Sequence, residues 1–271
     1  GVYLIGNAEQ LKWFAKKRRV SGNEGISARL TADIDLNNEN WAGNEFGGTS
    51  GYGTGYHGTF DGDGHTISGY YYEVSLKTNS LYHMGMFGYV VKGTVKNLTL
   101  DGQMVLDASQ ATEKLSIYVM GGVVSEIDGG TIENVINDVD ITVTNDVNGY
   151  ARGLVAGVVA TANFCSDKDP NGGDPIITNT VISNCENRGS ISGSGYAGGV
   201  CRKLGHGATI RNCINTGTIT SYGSAGGVLE SVEGGTVENC VNTGNISGEK
   251  MAAGIAADFA YGRSTNAENK G

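Results

Sequence analysis

Asp33 and Asp35 stand two residues apart, and Asp61 and Asp63 repeat that spacing just before His65. On a strand, positions i and i+2 project from one face. Each pair could therefore bring carboxylates together for acid and base work, or for holding Ca²⁺. Asp61-Gly62-Asp63-Gly64 also has the composition of a turn, because Asp and Gly make turns, and the turn reading ranks ahead of calcium and of catalysis. Asp167-Lys168-Asp169-Pro170-Asn171-Gly172 follows the opening of an EF-hand loop. It makes Asp167, Asp169 and Asn171 weak calcium candidates, because the bidentate Glu such a loop ends on falls here on Thr178. Apart from that possible calcium, no cofactor is expected.

Aromatic chemistry is the other possibility. Tyr52, Tyr56 and His57 lie in a glycine-rich loop spanning 47–58, and Tyr70, Tyr71 and Tyr72 follow on a strand. Tyrosine faces offer apolar area with a polar tip, so these residues form a candidate platform for sugar rings. No His-Glu-x-x-His, phosphate loop or dinucleotide fingerprint occurs.

The elements that carry these residues are set by a repeat. Ala-Thr-Ile-Arg-Asn-Cys-Ile-Asn-Thr-Gly-Thr-Ile at 208–219 returns 27 residues later as Gly-Thr-Val-Glu-Asn-Cys-Val-Asn-Thr-Gly-Asn-Ile. Earlier rows align on Asn97, Asn134 and Asn184, and Gly-apolar-apolar boxes alternate with them at Gly85, Gly122, Gly157, Gly199, Gly227 and Gly254. A fixed period of this length means stacked supersecondary units. The short apolar runs alternate with period two, which means strands. No intervening stretch is helical enough to cover a parallel sheet from outside. The expected fold is all-β, a single-stranded right-handed parallel β-helix whose rows stack about 4.8 Å apart.

In-register asparagines at Asn97, Asn134, Asn184, Asn212 and Asn239 are expected to hydrogen-bond along a corner. Asn187-Arg188-Gly189, Asn215-Thr216-Gly217 and Asn242-Thr243-Gly244 read as turns whose Gly takes positive φ. Asn7 with Gln10 reads as a helix N-cap, followed by Leu11, Phe14 and Ala15 on one face. A short N-terminal helix within 1–20 should cover the first row, with Lys16-Lys17-Arg18-Arg19 as a solvated face. Residues 21–260 should form the coil, with insertions at 47–58 and 161–175, and 261–271 should be a tail or a link to a further domain. Cys185, Cys213 and Cys240 replace core aliphatics, as does Cys201, so all four are expected as buried thiols. Cys165 stands outside the template.

The boxes, the Asn-Cys-x-Asn-x-Gly rows and Gly58-Thr59-Phe60-Asp61-Gly62-Asp63-Gly64-His65-Thr66-Ile67 together resemble the GLUG-motif repeats of large bacterial surface proteins. That resemblance implies a pectin-lyase-like β-helix, found in adhesin-like proteins and beside immunoglobulin A metalloendopeptidase domains. It implies a secreted or cell-surface location and a non-catalytic structural or adhesion role. The expected partner is a glycan or a host or cell-surface protein; the alternative is a polysaccharide lyase or glycoside hydrolase using Asp33, Asp35, Asp61 and Asp63. A net charge of −9 over 271 residues argues against nucleic acid as partner. No apolar run is long enough to insert in a membrane, and no signal peptide is readable from Gly1 onward, as in a chain whose targeting segment has been removed.

Overall fold

The computed structural model describes residues 1–46, 55–75, 83–109, 119–144, 153–168 and 174–271. Among them the chain is all-β apart from one helix. Its strands form large parallel sheets, one of 22 strands and one of six, with a small antiparallel pair between Cys165–Asp167 and Ile176–Thr178. The repeat read in the sequence is the pairing register itself. Thr209 pairs with Thr236, Ile214 with Val241 and Leu229 with Ala256, each step being one template length. Such pairing of consecutive rows is what a β-helix requires.

The core follows from strand alternation that slips by one residue at each left-handed asparagine, so that the inward positions on either side of it are three apart. Val95, Leu98 and Leu100 face inward, as do Ile132 and Val135, Ile182 and Cys185, Ile210 and Cys213, and Val237 and Cys240. The cysteines are buried, as the template predicts. Their thiols donate to the carbonyl two residues earlier, at 3.3 Å for Cys185, 3.2 Å for Cys213 and 3.3 Å for Cys240. Burial pushes the Cys201 thiol up to about 12, so it behaves as a hydrophobe.

Two amide ladders hold the rows in register. The expected corner asparagines adopt left-handed backbone, with φ of 54° at Asn97, 53° at Asn134, 54° at Asn184 and Asn212, and 51° at Asn239. Asn tolerates this region better than other non-Gly residues. Each Nδ2 donates to the Oδ1 one row earlier, at 3.0 Å from Asn134 to Asn97, 3.2 Å from Asn184 to Asn134 and 3.3 Å from Asn212 to Asn184. The second ladder is buried. Asn137 donates to Asn187 at 2.8 Å, Asn187 to Asn215 at 2.7 Å and Asn215 to Asn242 at 2.8 Å.

That second ladder corrects the turn reading of Asn187, Asn215 and Asn242. Their following glycines do not take positive φ. Gly217 and Gly244 are required because a Cβ would stand 2.1 Å from the carbonyl oxygen of the preceding row. The box glycines have a related reason: a Cβ on Gly157 would lie 2.0 Å from Asn187 Oδ1, and one on Gly199 2.3 Å from Asn215 Oδ1.

The first rows are closed by α1, Ala8–Arg18, preceded by β1, Val2–Ile5, which pairs in parallel with β2, Ser27–Leu30. Asn7 Oδ1 accepts from Gln10 N at 3.0 Å, and Gln10 Oε1 accepts from Gly6 N at 2.7 Å, a reciprocal cap. Leu11, Phe14 and Ala15 are buried, and the Phe14 ring lies 5.7 Å from Phe46 and 6.4 Å from Phe60. The basic run is not wholly a solvated face. Arg18 is buried and donates to Gly55 O at 3.3 Å, while Arg19 bonds Glu45 at 3.1 Å.

At the other end, residues 261–271 are not a tail. Arg263–Thr265 and Glu268–Asn269 pair with the preceding row, and Asn266 donates to Asn239 at 3.2 Å.

The two ladders should differ in energy. Asn215→Ala strands a buried oxygen on Asn242 and a buried proton on Asn187, and should cost about 3 kcal/mol or more. Asn212→Gly keeps the left-handed backbone at an exposed corner and should cost on the order of 0.5 kcal/mol. Denaturant melts of the two variants measure the difference; equal losses would contradict the burial argument.

Candidate functional site

The four aspartates proposed for acid and base work do not converge. Asp33 Oδ1 accepts from Thr66 N at 2.9 Å and lies 3.1 Å from His65 Nδ1, and these contacts hold it below the usual carboxylate range. Asp35 Oδ1 accepts from Asn37 N at 2.8 Å. Asp61 Oδ1 accepts from Asp63 N at 3.0 Å, while Asp63 itself sits at φ 51° in the exposed turn. The bonds of Asp35 and Asp61 close turns of the kind Asp makes locally, while those of Asp33 tie it to the next row.

The tyrosine platform is corrected more sharply. Tyr56 and Tyr70 are fully buried, and Tyr72 is buried with its hydroxyl donating to Glu45 Oε1 at 2.7 Å. They fill the interior of the first rows, so they present no ring face to a sugar. Tyr71 is half-buried and donates to Glu73 at 2.6 Å. His57 is exposed, with its N–H donating to Glu24 O at 2.9 Å. Tyr52 lies outside the described residues, as do Asp169 and Asn171. Asp167 pairs with Lys92, and among the described residues no group of three His, Cys, Asp or Glu is arranged to hold a metal.

What does converge lies around Asp61. Register places Leu4, Arg29, Asp61, Lys96 and Glu133 in one outward column, each directly opposite the next. Asp61 is buried, yet it accepts four donors: Asn97 Nδ2 at 2.9 Å and Asp63 N on Oδ1, with Arg29 Nη2 and Lys96 Nζ both 3.5 Å from Oδ2. Burial alone would raise its pKa, but the Asn97 amide, the Asp63 N–H and the Lys96 ammonium outweigh it and hold the carboxyl below its ordinary value. Beside this cluster opens a groove of about 470 Å³, lined by Val2, Leu4, Ser27, Arg29, Thr59 and Lys96 among others. Val2 and Leu4 are 58% and 65% exposed on its rim.

A second polar cluster lies on the outer face of the six-stranded sheet. Asn163 Nδ2 lies 3.1 Å from Asp128 Oδ1 and 3.5 Å from Glu126 Oε1, so both carboxylates reach one amide. His83 Nδ1 is 3.3 Å from Glu126 Oε2, its ring stacks on Tyr89 at 5.8 Å, and the Tyr89 hydroxyl donates to Asp128. Burial, and then Asp128, pushes Glu126 up to about 7, with Lys203 opposing.

No protein-family model matches the sequence, and no curated protein matches it. A solved structure does. The chain is similar to a crystal structure described as that of a "putative immunoglobulin A1 protease from Bacteroides ovatus", with a TM-score of 0.63 and 19% identity, covering 99% of this chain and 77% of that one. At this identity the likeness shows the fold alone, and it agrees with a β-helix-like arrangement of parallel strands.

Sequence reasoning missed both clusters. The groove was visible in principle, since the residue before a corner asparagine is charged in four of the five rows, Lys96, Glu133, Arg211 and Glu238, with Ser183 as the exception, and Arg29 and Asp61 stand on the rows before. The outer cluster had only the spacing of Glu126 and Asp128 to signal it.

The raised Glu126 gives a signed pH test. Its folded pKa exceeds the unfolded value of about 4.3, so the folded state binds the extra proton, and stability falls as pH rises from there toward 7. Glu126→Gln should therefore be more stable than the parent above pH 7, by on the order of 1–3 kcal/mol. That gain should vanish near pH 4. Melting both proteins across this range checks it; a gain that is flat with pH would contradict the assignment.

Proposed function

We propose that the chain is a non-catalytic structural and adhesion domain of a secreted bacterial surface protein, a right-handed parallel β-helix that holds a glycan in the groove beside Asp61. Parallel pairing at the template register supports one continuous coil, and the handedness follows the rule for parallel crossovers. The GLUG-type boxes and rows are consistent with this placement, since their glycines and asparagines serve row packing.

One observation carries the non-catalytic reading: the carboxylates of Asp33, Asp35 and Asp61 are each engaged by a turn, a neighbouring row or an ion pair, and Asp63 lies apart in an exposed turn. Asp61, the most enclosed of them, already accepts four donors. A glycan suits the groove because apolar Val2 and Leu4 can face a sugar ring while Thr59, Arg29 and Lys96 address its oxygens. Sites of this kind combine apolar lining with a few placed polar groups.

Incubation with polyuronides and neutral glycans, with calcium or with chelator, should yield no new reducing ends and no unsaturated products. Immobilised glycans should nevertheless retain the protein. The alternative, a carbohydrate-active enzyme, has one observation in its favour, the Glu126–Asp128 pair on a single amide. If depolymerisation appears, it should be lost in Glu126→Gln and kept in Asp33→Asn, and the non-catalytic reading falls.

A further inference from the structure

We propose that the groove beneath Val2 and Leu4 binds the carboxylate of an acidic sugar, with Arg29 and Lys96 as its two cationic ligands. This rests on the glycan reading above and names the sugar class. The chain as a whole is strongly acidic, with a formal net charge of −9, yet two cations converge here on one carboxylate. Asp61 can neutralise only one of them. Glu133, next in the column beyond Lys96, does not line the groove.

The cations are also incompletely used. Both stand 3.5 Å from Asp61 Oδ2, longer than the roughly 2.7–2.9 Å of a tight charge-assisted bond. A guanidinium has five N–H donors and an ammonium three, so donors remain for a ligand. Their side chains are 51% and 34% exposed, whereas that of Asp61 is 9% exposed. Asp61 also lines the groove, but far less of it is exposed than of the cations, so an incoming carboxylate meets chiefly Arg29 and Lys96. Asp61 acts as the buried anchor that fixes both cations in place, which reduces the ordering cost of binding.

The rest of the groove fits a pyranose. Val2 and Leu4 supply an apolar rim, and Thr59 adds a hydroxyl; Ser27 Oγ is already engaged by Thr59 N at 3.0 Å. A uronic acid residue matches this arrangement, one anionic substituent on a ring with an apolar face. A neutral sugar would leave the surplus charge unanswered.

Titration calorimetry with an oligogalacturonate and with its carboxyl-reduced counterpart of equal length decides the matter. The acidic oligomer should bind the full chain, and the reduced one at least about tenfold more weakly, the worth of one charge-assisted contact. Lys96→Met and Arg29→Gln should each weaken the acidic oligomer by a similar factor, and raising salt should do the same. Lys250→Met, toward the opposite end of the coil, should change nothing. Should one groove variant fail to fold, the other carries the test. Equal binding of both oligomers would overturn the proposal and leave the glycan reading standing. Binding of neither would remove both. Capture of an extended peptide instead, abolished by Leu4→Asp, would make the rim at β1 a strand acceptor and overturn the sugar assignment.

Discussion

The whole structure depends on a primary amide's donating and accepting from two separate atoms, in one plane, over one row spacing, where a hydroxyl has a single atom for both and an ionised carboxylate can only accept. An asparagine repeated at the template length therefore satisfies its neighbours as well as itself. In the buried ladder each Nδ2 also donates to the carbonyl two residues on, at 2.9 Å from Asn187 to Gly189 and 3.0 Å from Asn215 to Gly217. A buried polar group costs little when fully paired and a great deal when not. The ladder breaks where the pattern breaks. The row before Asn137 carries Leu100 at that register, and Asn137 Oδ1 is left buried without a hydrogen-bond partner.

The groove inherits its geometry from this framework. Strand register is set by the ladders and by the glycines that let rows approach, so the residue before each corner asparagine falls in one outward column. Opposite charges facing each other across strands add a modest stabilisation, roughly 0.2–1 kcal/mol per pair. In the early rows the same column does more. There the row has no corner asparagine, and Asp61, opposite Lys96 and so one position before the corner, takes the Asn97 amide on one oxygen while its second gathers the cations of the rows on either side.

How much of this was legible follows from what each residue's role depends on. The rows, the cysteine burial and the corner asparagines were readable because they depend on period alone, and the helix cap because its signal is local. The tyrosines were misplaced because their number and spacing say nothing of direction: Tyr56 and Tyr70 face a core that the aromatic rings of Phe14, Phe46 and Phe60 also fill. The glycines at 189, 217 and 244 were assigned the wrong cause, since a Gly demanded by close backbone approach looks in sequence like a Gly demanded by positive φ. The pairing of Arg29 with Asp61 spans rows of unequal length, and no fixed period connects them.

The two ladders point in opposite senses. Exposed amides donate toward the first rows and buried ones toward the last. Turning any single amide over would set N–H against N–H on one side and oxygen against oxygen on the other, so each ladder has one collective orientation. For the buried ladder the glycine carbonyls choose it. For the exposed ladder the choice is made at one end. An ionised carboxylate can only accept, so Asp61 dictates the direction of every amide stacked behind it as far as Asn266. A single side chain at one end of the molecule thus sets the polarity of a hydrogen-bond chain that runs almost its full length.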